Sequence, residues 1–474
     1  MVSLINNTKW VALAQITKVL CQIISLVVLA RLIPPAEYGL MAMAGVIVAL
    51  GFLFRDMGTS AALIQKKDLT EELKNAVFWL NIIIGFVVAI AIICASPFAA
   101  TYFSQPDLIC VLILLSLSFP ITSSSSSHLA LIERNSQFKK VAFIESISSL
   151  SATTLAIIAA YLGWGVYSLV IQSLLNAILS TLLIWHISEW KPSLYGYRYF
   201  KEIKQIFSFS GNLVAFNFVN YFSRNTDRWV IGKVMTSAVL GAYDLAYRVM
   251  LFPLQTFTFV VSRSMLPVLS QYQDNKEKFN KTYLDALCLI SFLAFPLMSG
   301  LMILREPFVK FVFGNQWSLV ASILFWLAPT GMLQALNSTT GAVLTAKGKT
   351  NILFYTGILS AVIYVSCFLI SASYDIVKFS EYYFYSNILV VGLNLYILFK
   401  VIKINVCSIF TTVFPVVSAC FIFVLAVYFV KKYININLFN FIGLIFFGGV
   451  VYLFSYYFMP NNLIKYYISK RMSK

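Results

Sequence analysis

A chain of 474 residues that is 60% hydrophobic, 16% aromatic and only 11% charged lies far outside the soluble average of roughly 45–50% apolar and 25% charged residues. That excludes a sizeable soluble domain and marks a membrane protein. The excess of 35 Lys and Arg over 18 Asp and Glu, a net charge of +17, takes its meaning from where the residues fall along the chain.

The first apolar run begins at Trp10 and carries Lys18 in its middle, whereas a signal peptide needs an unbroken apolar stretch, so cleavage is not expected. Runs long enough to cross a bilayer follow at 10–31, 38–60, 76–96, 108–130, 141–162, 166–187, 207–234, 240–262, 283–304, 318–342, 351–372, 381–401, 408–430 and 438–458. The expected fold is therefore all-α and polytopic, with about fourteen transmembrane helices. Turn-like connections such as Pro34-Pro35 and Gly163-Trp164-Gly165 join them, and Trp10, Trp79, Trp164, Trp185, Trp190 and Trp317 fall near span ends, as an interfacial belt requires. Pro120, Pro253, Pro296, Pro329 and Pro415 predict kinks within spans.

With the N-terminus in the cytoplasm, 23 basic residues lie at cytoplasmic span ends and seven on the opposite side. This satisfies the positive-inside rule with both termini cytoplasmic. The basic, aromatic stretch 188–206 reads as a cytoplasmic connector lying in the membrane interface. A repeat is also visible. Ala30 to Ala44 aligns with Gly232 to Ala246 at a constant offset of 202, matching Arg31 with Lys233 and Gly39 with Gly241. This divides the chain into an N-lobe (1–187), the connector (188–206), a C-lobe (207–401) and two extra spans with a basic tail (402–474), the two six-helix lobes being pseudo-symmetric parallel repeats.

Five basic residues remain within spans: Lys18, Arg55, Arg224, Arg228 and Arg248. An ionisable residue there costs about 2.5–3.5 kcal/mol on insertion scales, so it faces a partner or an aqueous cavity. Depth sorts the span charges into two groups. Lys18, Arg55, Asp56 and Glu145 lie in the inner half. Arg224, Asp227, Arg228, Asp244 and Arg248 lie in the outer half, at i,i+3 and i,i+4 spacings that charge one side of a hairpin. On one reading the aspartates neutralise the arginines and lock two spans together. On the other, three arginines against two aspartates form an anion site, the guanidinium offering a fork to phosphate or carboxylate. Arg55 and Asp56 are also close enough to the cytoplasmic end to snorkel. Asp56, Glu145, Asp227 and Asp244 are the candidates for charge pairing or ion coupling. Ser123 to Ser127 with His128 give span 4 a polar stretch that either lines a path or permits close helix packing.

Seven scattered cysteines without a C-x-x-C predict neither disulfides nor a metal site. No nucleotide-binding, hydrolase or metalloprotease motif occurs, so no catalytic residues, cofactors or nucleic-acid partners are expected.

Ala30-Arg31-Leu32-Ile33-Pro34-Pro35-Ala36-Glu37-Tyr38-Gly39, extended by Arg55 to Gln65, resembles the first-hairpin signature of bacterial polysaccharide exporters. A second signature runs from Ser223-Arg224-Asn225-Thr226-Asp227-Arg228 through Gly232-Lys233, Leu240-Gly241-Ala242-Tyr243, Ala246-Tyr247-Arg248 and Pro253-Leu254-Gln255. Together they resemble the Wzx-type lipopolysaccharide and capsule flippases, in particular the colanic-acid and teichuronic-acid exporter branch of the multidrug/oligosaccharidyl-lipid/polysaccharide exporter superfamily. The resemblance implies a two-lobed transporter of the bacterial cytoplasmic membrane. It would move undecaprenyl-diphosphate-linked oligosaccharide by alternating access, alongside a polysaccharide polymerase and assembly proteins. It further implies that Lys18 and Arg55 receive the diphosphate and that Arg224, Arg228, Arg248 and Arg31 hold it as the outer side opens. A cation-coupled multidrug exporter and a membrane polymerase or assembly scaffold are the alternatives.

Overall fold

The computed structural model describes residues 2–55, 63–64, 66, 69–193, 218, 221–222 and 224–459, leaving aside the side chains of 2–8, 256–260, 262–264 and 406. The described residues form helices and short turns. In the first part of the chain these are α1 (Val2–Leu32), α2 (Pro35–Arg55), α3 (Glu71–Phe103), α4 (Leu108–Ser116), α5 (Ser118–Arg134), α6 (Phe138–Tyr161) and α7 (Val166–Ile187). Residues 224–234 are also helical. The second part comprises α8 (Ser237–Gln271), α9 (Lys276–Ile303), α10 (Arg305–Val312), α11 (Ser318–Asn337), α12 (Thr340–Ala346), α13 (Thr350–Ser371), α14 (Ile376–Ile402), α15 (Val406–Tyr433) and α16 (Leu438–Phe458).

Among the described residues, twelve helical segments are long and apolar enough to cross a membrane, and each falls on one of the fourteen expected spans. The eighth expected span lies on the 35-residue α8, and the first part of the seventh, 207–217, lies outside the described residues. The chain is a multi-pass membrane protein. Its large apolar side chains face outward in numbers no soluble protein tolerates, with Phe98, Tyr161 and Phe439 each about four-fifths exposed.

Proline explains one interrupted span. Pro120 cannot donate to the carbonyl of residue 116, and the fourth span divides at Leu117 into α4 and α5. Pro253, Pro267, Pro296, Pro329 and Pro415 lie inside continuous helices.

Two compact units divide the chain, Met1–Gly241 and Ala242–Lys474. In the first, α1 packs on α6, α6 on α7, and α3 on α5. Tyr221, Trp229 and Lys233 also pack within this unit. The Tyr221 hydroxyl donates to the Val46 carbonyl, Trp229 stacks on Phe103, and Lys233 Nζ donates to the Tyr102 carbonyl at 2.9 Å. In the second unit, α15 and α16 dock on α9 through a cluster that includes Ile290, Phe295, Phe423, Phe441 and Tyr452. The Tyr452 hydroxyl donates to the Phe292 carbonyl at 2.9 Å, satisfying a polar tip within that apolar contact.

The first hairpin signature has a mechanical explanation. The Glu37 carboxylate accepts the Val166 N–H, capping the N-terminus of α7, and the preceding Gly165 sits at φ +53°, where a side chain would be strained and would also strike that carboxylate. Gly39 and Gly241 form a second joint. A β-carbon on Gly39 would fall on the Ser237 carbonyl, and one on Gly241 on the Pro35 carbonyl. Residues 35 and 39 correspond to 237 and 241 at the offset of 202, so the two contacts are reciprocal. Only hydrogen side chains permit backbones to approach this closely. Gly45, by contrast, has open space around it.

Gly39→Ala and Gly241→Ala are therefore expected to remove most folded protein from the membrane fraction, whereas Gly45→Ala, gaining about 1 kcal/mol of helix propensity, leaves it unchanged or raised. Fluorescence-detected gel filtration of the three variants checks this, and equal losses would contradict the joint.

Candidate functional site

The span charges separate by how each is compensated. Arg55, in the last turn of α2, donates from Nη1 to Thr122 Oγ1 at 2.6 Å, and its guanidinium lies 4.8 Å from the centre of the Phe52 ring. It is held against α5. Asp56 lies outside the described residues. Glu145 is half-buried on α6, within electrostatic reach of Glu133 at the end of α5. Glu133 carries no signal in the spacing of span charges, because it precedes Arg134 at a span end and reads as a solvated pair. Arg134 is in fact engaged elsewhere, donating from Nη1 to the carbonyls of Leu63 and Lys66 at 2.7 and 2.6 Å.

On α8, Asp244 is 2% exposed and accepts from Arg248 Nε at 2.6 Å, while the arginine side chain is 50% exposed. The expected i,i+4 pair thus forms, with its acid inward and its base outward. In the 224–234 helix, Asp227 is 2% exposed and its Oδ1 accepts the Arg228 backbone N–H at 2.8 Å. Arg228 is partly buried and donates from Nη1 to Asn225 Oδ1 at 3.0 Å.

Two span charges differ from all of these. Lys18 and Arg224 are exposed, and among the described residues neither makes a hydrogen bond or an ion pair. Lys18 lies eight residues into the apolar run that begins at Trp10, about 12 Å of helix rise, which is beyond the comfortable reach of a snorkelling lysine. Arg31, also exposed, stands in the last turn of α1, where a cation complements the helix carbonyls.

The polar stretch of the fourth span lies in a helix seam. Ser123 packs against Gly85 of α3, Asn81 Nδ2 donates to Ser126 and Ser127 at 2.9 and 3.3 Å, and Thr181 of α7 donates to Ser125. Ser123, Ser127 and His128 are fully buried. His128 shares a 2.8 Å hydrogen bond with Ser188 through Nδ1, and its ring is enclosed by Phe78, Trp185 and Trp190 at centroid separations of 4.5 to 5.8 Å.

The start of the connector is fixed to the same region. Trp190 Nε1 donates to Glu71 at 2.9 Å, Trp79 Nε1 to the Ser193 carbonyl at 2.8 Å, and the Ser193 N–H to Asn75 at 2.6 Å. Trp79 and Trp190, which the sequence assigns to an interfacial belt, therefore also fix residues 188–193, while Trp185 donates to the Ser124 carbonyl. The connector beyond Ser193 and the basic tail from 460 onward lie outside the described residues.

Comparison with known proteins gives three concordant findings. Residues 28–322 match the profile of the polysaccharide biosynthesis protein family. The chain is 26% identical over 368 residues to the lipopolysaccharide biosynthesis protein WzxC of Escherichia coli K12, covering 77% of this chain and 74% of that protein. It is 24% identical over 360 residues to the succinoglycan biosynthesis transport protein ExoT of Rhizobium meliloti, covering 75% and 72%. Among solved structures, the lipid II flippase MurJ in an inward closed conformation superposes with a TM-score of 0.76 at 18% identity, over 94% of this chain and 97% of that one, which establishes a common fold.

The Asp244–Arg248 pair predicts a measurable coupling. Arg248→Ala takes a charged partner from a buried carboxylate and should cost about 1–3 kcal/mol, the range being lowered by the arginine's half exposure. Asp244→Asn combined with Arg248→Gln should recover most of that loss in thermal unfolding of the detergent-solubilised protein. Additive losses would show that the two residues do not act as a pair.

Proposed function

The chain belongs to the polysaccharide biosynthesis protein family, and from that premise we propose that it is a flippase carrying undecaprenyl-diphosphate-linked oligosaccharide across the bacterial cytoplasmic membrane. The observation that carries this reading is the pair Lys18 and Arg224. Each is a cation within a span, exposed, and without an anionic partner among the described residues. Such a charge is tolerable where water reaches it and useful where its counter-charge arrives with the substrate. A diphosphate supplies that counter-charge. It is anionic and presents the oxygen geometry that a guanidinium grips with two parallel hydrogen bonds.

In this reading Lys18 and Arg55 form the inner station and receive the diphosphate head group, Arg55 turning from Thr122 to meet it. Arg224 and Arg228 form the outer station, with Arg31 and Arg248 contributing positive potential. The sugar travels through a water-filled cavity while the polyprenyl tail stays in lipid, and the cavity opens alternately to each side. The two pseudo-symmetric lobes of the sequence repeat provide the moving parts, a reading supported by the reciprocal contacts of Gly39 and Gly241. The excess of basic residues at alternate span ends orients both termini to the cytoplasm, where the lipid-linked unit is assembled. Glu145, next to Glu133, and the buried Asp227 and Asp244 are the acids available to couple transport to an ion. The ExoT relative is named a transport protein and MurJ a flippase, which supports transport over catalysis. Polysaccharide polymerase and assembly proteins are the expected partners that consume the exported unit.

Complementation of a strain lacking its own exporter tests the assignment. Lys18→Ala and Arg224→Ala, at normal membrane levels, should abolish or strongly reduce surface polysaccharide. Arg224→Lys should fall between these variants and the parent, because it keeps charge but loses the fork. Full export by both alanine variants would refute the two-station reading.

A further inference from the structure

A cavity of about 690 Å³ lies wholly within the second unit, between the opening turns of α9 and α15, in the volume range of small-ligand sites. Its lining runs from Lys276, Lys281 and Lys403 to Cys288 and Thr412, whose sulfur and carbonyl oxygen are 3.7 Å apart. Twelve residues separate Lys276 from Cys288, about 18 Å of helix rise. The cavity therefore extends from a charged mouth at the membrane surface down alongside the spans.

Three features fix the chemistry of that mouth. Lys276, Lys281 and Lys403 outnumber the two acidic lining residues, Glu277 and Asp285. Both helices begin here, capped by Asn275 and Asn405, so the positive ends of two helix dipoles meet at one opening. Asn280 lines the cavity, and its side-chain oxygen is buried with no hydrogen-bond partner among the described residues. An unmet acceptor beneath a cluster of cations calls for a ligand that carries both an anion and a hydroxyl donor. Leu284, Cys288 and Ile404 line the cavity beside these polar groups, which suits an amphiphilic ligand.

We propose that this pocket holds the head group of an anionic glycerophospholipid, with its phosphate against Lys276, Lys281 and Lys403 and a glycerol hydroxyl donating to Asn280. Basic pockets between spans on the positive side of a membrane protein are suited to such head groups. The site is separate from the span charges assigned to the transported substrate, and it ties α15, one of the two helices beyond the repeat, to the lipid around it. The plain alternative is that these lysines serve only to orient the chain. Lys278 and Lys400 provide the comparison, since they lie at the same membrane face but outside the cavity, over the rings of Tyr272 and Tyr396.

The test uses the purified full chain in a neutral detergent, with thermal unfolding followed as phosphatidylglycerol, phosphatidylcholine or inorganic phosphate is added. Phosphatidylglycerol should raise the unfolding midpoint saturably, and phosphatidylcholine and inorganic phosphate should not. Lys276→Gln with Lys403→Asn should weaken the apparent lipid affinity about 30-fold. Asn at position 403 suits the left-handed backbone there, φ +52°, so this exposed double variant is expected to fold. Lys278→Gln with Lys400→Gln should leave the affinity unchanged. Equal weakening by both pairs, no weakening by the first, or the same stabilisation by inorganic phosphate alone would overturn the proposal.

Discussion

A charge inside a hydrocarbon layer must be compensated, and the compensation of each span charge decides its role in this molecule. Asp244 is buried and Arg248 answers it at 2.6 Å, so that pair is complete without a ligand. Arg55 is held by Thr122 and by the face of Phe52, an arrangement that lowers the cost of its charge. Lys18 and Arg224 have neither a hydrogen bond nor an ion pair among the described residues. Charge alone does not distinguish these cases, because all five basic residues share a sign, and each depth group holds both partnered and exposed cations. Burial and partner geometry do, and they move attention from the number of arginines to the two cations that have no counter-charge among the described residues.

A second constraint acts on the backbone. The signature Pro34-Pro35-Ala36-Glu37-Tyr38-Gly39 is engaged in contacts of the fold itself. Glu37 caps α7, Gly39 admits the Ser237 backbone, and Pro35 starts α2 while its carbonyl faces Gly241. The motif is a joint, and the same joint recurs 202 residues later with the roles exchanged. In Glu37, Gly39 and Gly241 the signatures therefore serve packing, beside the arginines that the same signatures contain.

Much of the architecture is legible in the sequence, because membrane insertion imposes a length and a hydropathy on each helix that composition alone reveals. Twelve spans coincide with helices of the structure, and the division of the fourth follows from Pro120. Depth along a span is also legible, since it needs only counting. The direction in which a side chain points is not. Ser123, Ser127 and His128 read equally as a lining or as a seam, and the structure packs them into contacts with α3, α7 and the residues that open the connector. Trp185 and Trp190 read as interfacial anchors and instead also enclose His128. The cavity at the start of α9 and α15 joins residues more than a hundred positions apart, and no periodicity within either helix announces it.

The most direct measurement is translocation itself, in proteoliposomes containing the purified chain and a polyprenyl-diphosphate-linked oligosaccharide whose sugar is modified only when it reaches the outer leaflet. The account predicts that the protein exposes the inner-leaflet pool far faster than protein-free vesicles do. It also predicts that the Lys18→Ala, Arg224→Ala double variant abolishes the effect, and that a zwitterionic phospholipid probe is not moved. Transfer at the protein-free rate, or equal transfer of both lipids, would contradict it.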